Sequence, residues 1–235
     1  MKLSDVDAIK SSVQYHDNLS SSAWRGWEMD PTVRDRLIDI AVMFVDYLDI
    51  EDFNVEDIRL TGSLANFNYT RFSDFDLHVV TNYKDLGCDD LAESLYRAKK
   101  QIWNDQHDII INGHEVELYV EDSNNPPVSA GMFSILDNKW ISKPEFVPPS
   151  YDQRAVKRKA QSLIDLLSKT IQHAESVDDF KAANDKLRRM RRSGLDTGGE
   201  FSTENLAFKV LRNTGWIERL YNAENSFLDQ QLTLK

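Results

Sequence analysis

Two aspartates, Asp74 and Asp76, stand one residue apart in SDFDLHVV, and a Gly62-Ser63 pair lies a short loop upstream of them. In an extended segment alternate side chains share a face, so Asp74, Asp76 and His78 project one way while Phe75, Leu77 and Val79 project the other. Like charges side by side on a half-buried strand are unfavourable unless a cation accepts them. A third acid is at hand in HEVELYV, where Glu115, Glu117 and Tyr119 alternate with Val116, Leu118 and Val120. If that segment lies beside the first, three carboxylates meet on one surface. Glu117, with apolar neighbours on both sides, is the preferred third ligand, and Glu115 is the alternative. Two divalent ions held about 4 Å apart by such a cluster would neutralise it and polarise a phosphoryl group. Oxygen-only ligands select magnesium, with manganese as the alternative. Glycine at 62 lets the backbone approach a phosphate closely, and the Ser63 hydroxyl with nearby amides can donate to it. The plain alternative is an edge strand with its polar face in water and a Gly-Ser pair that is only a turn.

Several elements must position these residues. DPTVRDRLIDIAVMFVDYL starts a helix, with Asp30 as N-cap and Pro31 at the first helical position. Its residues Val33, Leu37, Ile40, Ala41, Phe44, Val45 and Leu48 form a wide apolar face. VEDIRLTGS reads as a short strand running into the Gly-Ser turn, and SDFDLHVV as the next strand. Residues 89–105 read as an amphipathic helix, and DIIINGHEVELYV as a hairpin turning at Asn112-Gly113. GMFSIL and KWIS add edge strands. Ahead of all this, the first thirty residues read as a short helix and a Ser-rich connector, with Trp24 and Trp27 as packing anchors. The proline-rich stretch SKPEFVPPSYD, 142–152, breaks the pattern. It separates a domain over residues 1–145 from a helical domain over 150–235, with helices expected at about 152–174, 178–192 and 203–222. SGLDTGGEFS reads as a turn with Ser202 as an N-cap, because it lacks the residue order of a P-loop. The expected class is α+β: a small mixed sheet flanked by helices, followed by a helical bundle.

Composition narrows the partners. The 235 residues are 41% apolar and 29% charged, ordinary for a globular chain with a real core. Cys88 is the sole cysteine, which excludes an internal disulfide and a cysteine zinc site and points to a reducing cytoplasm. MKLSDVDAIK has no apolar stretch of the kind a signal peptide needs, and no run is long enough to span a membrane. The net charge of −11 argues against a general nucleic-acid coat. The charge is uneven, however. Residues 1–150 hold 13 Lys and Arg against 27 Asp and Glu, net −14, whereas residues 151–235 hold 15 against 12, net +3. A polyanion would meet the protein in its later part. There, KAANDKLRRMRR gathers Lys181, Lys186, Arg188, Arg189, Arg191 and Arg192, and RAVKRKA adds Arg154, Lys157, Arg158 and Lys159. Such helices bind phosphate, of a triphosphate or of an RNA acceptor, or are simply solvated.

Gly62-Ser63, ten intervening residues, Asp74-Phe75-Asp76-Leu77 and then Val116-Glu117-Leu118 resemble the signature of the DNA polymerase beta-type nucleotidyltransferase superfamily. The match spans about residues 58–120. SDFDLH and GGEFSTENLAFKVLR are also similar to stretches of predicted nucleotidyltransferases encoded by bacteriophages. The resemblance implies a nucleotidyltransferase-type sheet domain with a variable helical bundle behind it. It implies that Asp74 and Asp76 ligate both metal ions, and that Glu117 ligates the catalytic ion and helps deprotonate an acceptor hydroxyl. That hydroxyl would attack the α-phosphorus of a nucleoside triphosphate, with pyrophosphate leaving. Gly62 and Ser63 would hold the β- and γ-phosphates, and Lys209, on a late helix, would reach the triphosphate. The basic helix of KAANDKLRRMRR separately offers Arg188 and Arg191 as further nucleotide-binding residues.

The leading expectation is therefore a magnesium-dependent transferase of a nucleoside monophosphate. Its acceptor is RNA, such as a tRNA 3′ end, or a small molecule, a protein side chain or a second nucleotide in a signalling oligonucleotide. The alternatives are an antitoxin-like nucleotide-binding regulator that does not turn over, and an interaction protein whose acidic strand merely faces solvent.

Overall fold

The computed structural model describes residues 11–51, 53–86, 89–127 and 129–234. Cys88 and the first ten residues, on which the expected N-terminal helix and the absence of a leader rest, lie outside them. The chain divides into two compact units, one of Tyr15–Val147 and a second of Pro148 onward that also takes in residues 11–14. The sequence boundary kept residues 11–14 with the sheet. Val13 instead packs against the helical core, because that is where its apolar side chain is covered.

The first unit opens with a small hairpin, β1 (Trp24–Arg25) and β2 (Glu28–Met29), that the sequence reading did not anticipate. Trp24 is buried, and its indole N–H donates to the carbonyl of Leu64 at 2.7 Å, tying this hairpin to the turn that follows Gly62. Trp27, the other expected anchor, remains 46% exposed. Helix α1 (Pro31–Leu48) begins as its sequence dictates, with the Asp30 carboxylate accepting from the Thr32 amide at 2.9 Å. It buries Val33, Leu37, Ile40, Ala41, Phe44 and Leu48, leaving Val45 partly covered.

Strands β3 (Asp57–Thr61) and β4 (Phe75–Thr81) pair antiparallel. Helix α2 (Asp89–Gln106) then carries the chain to the hairpin of β5 (Ile110–Ile111) and β6 (His114–Asp122). Its turn is the expected Asn112-Gly113 pair, with φ of 48° and 86°. Strands β7 (Met132–Ser134) and β8 (Lys139–Ser142) complete a six-stranded sheet of order β5-β6-β4-β3-β7-β8. β7 was expected at an edge; it lies between β3 and β8, with Met132 and Phe133 buried, so of these two strands β8 alone is at an edge, with β5 at the other end of the sheet. The β4–β6 pair is parallel and the others antiparallel, so the sheet is mixed. Beyond its pairing with β5, β6 is capped by Asn104 of α2. That side chain donates to the Leu118 carbonyl and accepts from the Leu118 amide, both at 3.1 Å, in place of a further strand.

The register of β4 on β6 follows from burial. Phe75 lies opposite Val116 and Leu77 opposite Leu118, all facing the core. Each such side chain stabilises the fold by about 2 kcal/mol. A one-residue slip would turn Glu117 into the core and Leu118 out of it, so the apolar face also determines which polar residues meet on the other face.

The second unit is helical. Helix α3 (Gln153–His173) is capped by Asp152, whose carboxylate accepts from the amides of Arg154 and Ala155 at 2.8 and 3.1 Å. Those bonds hold the Asp152 carboxyl below the ordinary carboxylate range. Helix α4 (Val177–Gly198) starts in a capping box formed by Ser176 and Asp179. It runs six residues past the expected end and absorbs the first part of the segment read as a turn. Gly194 explains this: a Cβ there would lie 2.6 Å from Cβ of Glu204, so this glycine lets the start of the next helix approach α4 rather than ending α4. Ser202 does cap that next helix, α5 (Thr203–Asn213), by accepting from the Asn205 amide. The single helix expected over 203–222 is two, because Gly215, at φ 74°, separates α5 from α6 (Trp216–Leu232). Val156, Leu163, Phe180, Leu187, Val210 and Trp216 lie in the core the four helices share.

Candidate active site

The polar face of the sheet is organised in rows across the strands. Thr61, Asp76 and Glu117 are register neighbours on β3, β4 and β6. The next row holds Ser134, Arg59, His78 and Tyr119, and the one after it Asp57, Val80 and Glu121. Asp74 sits just ahead of β4 and belongs to the same face by alternation. β4 is thus an interior strand, not an edge. Glu117, opposite Asp76, is half-buried; Glu115 is exposed on the stretch of β6 paired with β5.

Gly62 closes the site from the β3 side. Its backbone, φ 74° and ψ −159°, is one that residues with a Cβ rarely adopt. A Cβ built on it would lie 1.7 Å from Oδ2 of Asp76. The glycine is therefore required twice, for its conformation and because the Asp76 carboxylate occupies the space. Ser63 follows at the start of a short 3₁₀ turn, Ser63–Ala65. Its hydroxyl donates to Oγ of Ser73 at 2.7 Å, and Ser73 in turn accepts from the Thr70 amide at 2.9 Å. The proton expected to serve a phosphate is thus committed within the protein, where it ties the Gly-Ser turn to the loop ahead of Asp74. His114 supports that loop through Nδ1, 2.6 Å from the Ser73 carbonyl.

Tyr119, to which the sequence reading gave no role, is central. Its hydroxyl donates to Oε2 of Glu117 at 2.5 Å. Burial pushes the phenol far above its ordinary pKa, and the charges of Glu117, Asp76 and Asp74 push the same way, in that order. The phenol therefore stays protonated, as a donor, within electrostatic reach of all three acids. Its ring stacks on His78 with centroids 4.9 Å apart, and the Lys100 ammonium sits 4.0 Å from its centroid.

One row on, a buried ionic network stiffens the sheet. Glu121, 4% exposed, accepts from Nη1 of Arg59 at 2.5 Å. Its other oxygen is 3.0 Å from Nδ1 of His78, close enough for an ion pair although neither atom makes a well-aligned hydrogen bond. His78 Nε2 meets Thr61 Oγ1 at 3.1 Å, and Arg59 Nε pairs with Asp57 at 3.0 Å. His78 is thus a hydrogen-bonded neighbour of the acids. Removing one partner of a buried pair strands the other charge. Arg59→Leu is expected to lower unfolding free energy by about 3 kcal/mol in urea denaturation. A loss below about 1 kcal/mol would mean that His78 alone satisfies Glu121. Beside this network a cleft of about 330 Å³ is lined by His78, Tyr83, Tyr119, Glu121 and Asp122 among others.

Oxygen donors only, on adjoining strands, suit a hard cation in kind. As the side chains stand, however, no three His, Cys, Asp or Glu among the described residues are gathered closely enough to hold one. Asp76 and Glu117 are register neighbours on strands about 4.8 Å apart, so their side chains project from adjoining points of one face.

The expected phosphate ligands Arg188, Arg191 and Lys209 all belong to the second unit. Arg188 is exposed on α4. Arg191 lies over the Phe208 ring at 4.6 Å, with Nε 3.3 Å from Oδ1 of Asn205. Lys209 on α5 is half-buried, and desolvation pulls its ammonium below the ordinary lysine pKa; the Arg212 and Arg191 charges add to this and Glu200 opposes it. Arg191, Lys209, Arg212 and Glu200 thus form one electrostatic group. Lys159 is paired with Glu204 at 3.3 Å, while Arg154, Lys157 and Arg158 line an open groove of about 560 Å³ on α3.

No protein-family model matches the sequence, and no curated protein matches it. Among solved structures the chain is similar to one described as a STING-associated CdnE c-di-GMP synthase from Capnocytophaga granulosa. That likeness covers 85% of this chain and 84% of the other at 12% identity, with a TM-score of 0.21, too slight to bear on function. No helix among the described residues is long and apolar enough to cross a membrane. What the structure itself establishes is an α+β chain, a mixed six-stranded sheet unit followed by a helical unit, with aspartate and glutamate side by side on the sheet's polar face.

Proposed function

We propose that this chain is a magnesium-dependent nucleotidyltransferase that joins a nucleoside monophosphate to an acceptor hydroxyl. The observation that carries the reading is the parallel register that sets Glu117 beside Asp76, with Gly62 fitted against the Asp76 carboxylate. Asp74, Asp76 and Glu117 would hold the ions, with manganese able to replace magnesium; bound there, the ions would polarise the α-phosphoryl group and stabilise the departing pyrophosphate. The chain's own part is to present the acids on adjacent strands and to bring the Gly62-Ser63 turn against them. Lys209, Arg188 and Arg191 are the proposed phosphate ligands of the helical unit. The +3 net charge of residues 151–235 supports an RNA acceptor, with a small molecule or second nucleotide as the other acceptor classes.

The test is incubation of purified protein with each labelled nucleoside triphosphate and magnesium, with and without total RNA. Label in RNA or in a small product, with pyrophosphate released, supports transfer, and no transfer from any triphosphate overturns it. A second reading is a nucleotide-binding regulator without turnover. It predicts metal-dependent nucleotide binding in calorimetry with no pyrophosphate.

A further inference from the structure

We infer that Tyr119 is a positioning residue whose hydroxyl fixes the carboxylate of Glu117, the third metal ligand in the function proposed above, on which this inference rests. Ligating carboxylates are commonly held by hydrogen bonds from residues that do not touch the metal, and losing such a partner weakens metal binding by about 10–100-fold. Tyr119 has the attributes of such a partner. Its O–H donates at 2.5 Å to Oε2, which leaves Oε1 for a cation. The two residues lie two apart on β6, on the same face, so the bond needs no distortion of the strand. The ring itself is restrained by the His78 stack and the Lys100 ammonium. His78 is in turn restrained by Thr61, next to Gly62, and by Glu121. The orientation of Glu117 is therefore linked through side chains to the β3 strand that carries the Gly-Ser turn. A tyrosine that served packing alone would need the ring but not the hydroxyl. Here the hydroxyl donates to the Glu117 carboxylate, a place where an apolar ring edge would gain nothing.

The experiment measures manganese affinity by calorimetry, with thermal melting and transfer kinetics, for the wild type, Tyr119→Phe, Glu117→Asp and the double variant. Phenylalanine keeps the ring and removes the donor. Tyr119→Phe is expected to bind manganese about 10–100-fold more weakly and to lose kcat at saturating nucleotide. KM for the triphosphate and the melting temperature should stay near the wild-type values. In Glu117→Asp the shorter acid no longer reaches the phenol. That variant should show a comparable loss, and adding Tyr119→Phe to it should cause none further, since the two act as one unit. Wild-type affinity in Tyr119→Phe, or a full additional loss in the double variant, overturns the inference while leaving the nucleotidyltransferase reading intact. If Tyr119→Phe does not fold, Glu117→Asp decides: unchanged manganese affinity there overturns the inference. A wild-type protein that binds no manganese, with or without nucleotide, removes the functional reading and this inference together.

Discussion

Asp76→Asn is expected to lower nucleotide transfer by about a thousandfold or more while leaving the protein folded. Asparagine has the shape of aspartate, and shape is what Gly62 requires of it, since a Cβ at 62 would meet Oδ2 of the native side chain at 1.7 Å. The substitution removes charge alone. A carboxylate that anchors a catalytic ion contributes several kcal/mol to the transition state, and about 4 kcal/mol corresponds to three powers of ten in rate. Asp74→Asn is expected to behave in the same way. Initial rates with saturating magnesium and triphosphate, together with a thermal melt, check this. A rate within tenfold of wild type, in a variant that melts normally, would leave the acids without a catalytic part.

Gly62→Ala tests the other half of the site, and Gly199→Ala is its control. The two glycines share one backbone conformation, φ 74° and ψ −159° at 62 against φ 67° and ψ −161° at 199. A residue with a Cβ held there is strained by about 1–3 kcal/mol. At 199 nothing lies within 4 Å of the added Cβ, whereas at 62 it enters the Asp76 carboxylate. Gly199→Ala should therefore report strain alone. Gly62→Ala should lose more stability than the control and should lose transfer as completely as Asp76→Asn, because Asp76 must move. Paired urea denaturation and rate measurements separate the two contributions. Equal stability losses together with retained activity at 62 would show that the carboxylate is free to shift and that its placement is not critical.

The two substitutions also differ in what could have foreseen them. The acid pair on alternate positions of SDFDLHVV, and the acid in HEVELYV, are visible because strand alternation is local: two residues decide a face, wherever the strand goes. The same locality made helix α1 legible through Asp30 and Pro31, and the hairpin through Asn112-Gly113. Gly194 shows where locality misleads. In the string SGLDTGGEFS it reads as a turn residue, yet it sits within α4, where its lack of a Cβ leaves room for the side chains of Ser202 and Glu204. β7 was misplaced at an edge for a related reason, since nothing in GMFSIL names its second neighbour.

By itself, then, the amino-acid string determined which side chains share a face, where most elements begin and that the class is α+β. Each of these follows from spacing and from the conformations that individual residues allow. Tertiary structure alone decided that β6 lies parallel to β4, that Glu117 meets Asp76 with no slip, and that Tyr119 reaches Glu117. It also decided that Arg59, 62 residues away in the chain, neutralises Glu121. Those pairings are chosen by which apolar faces can be buried together, a property of the whole sheet and its helices that no short stretch of the chain contains.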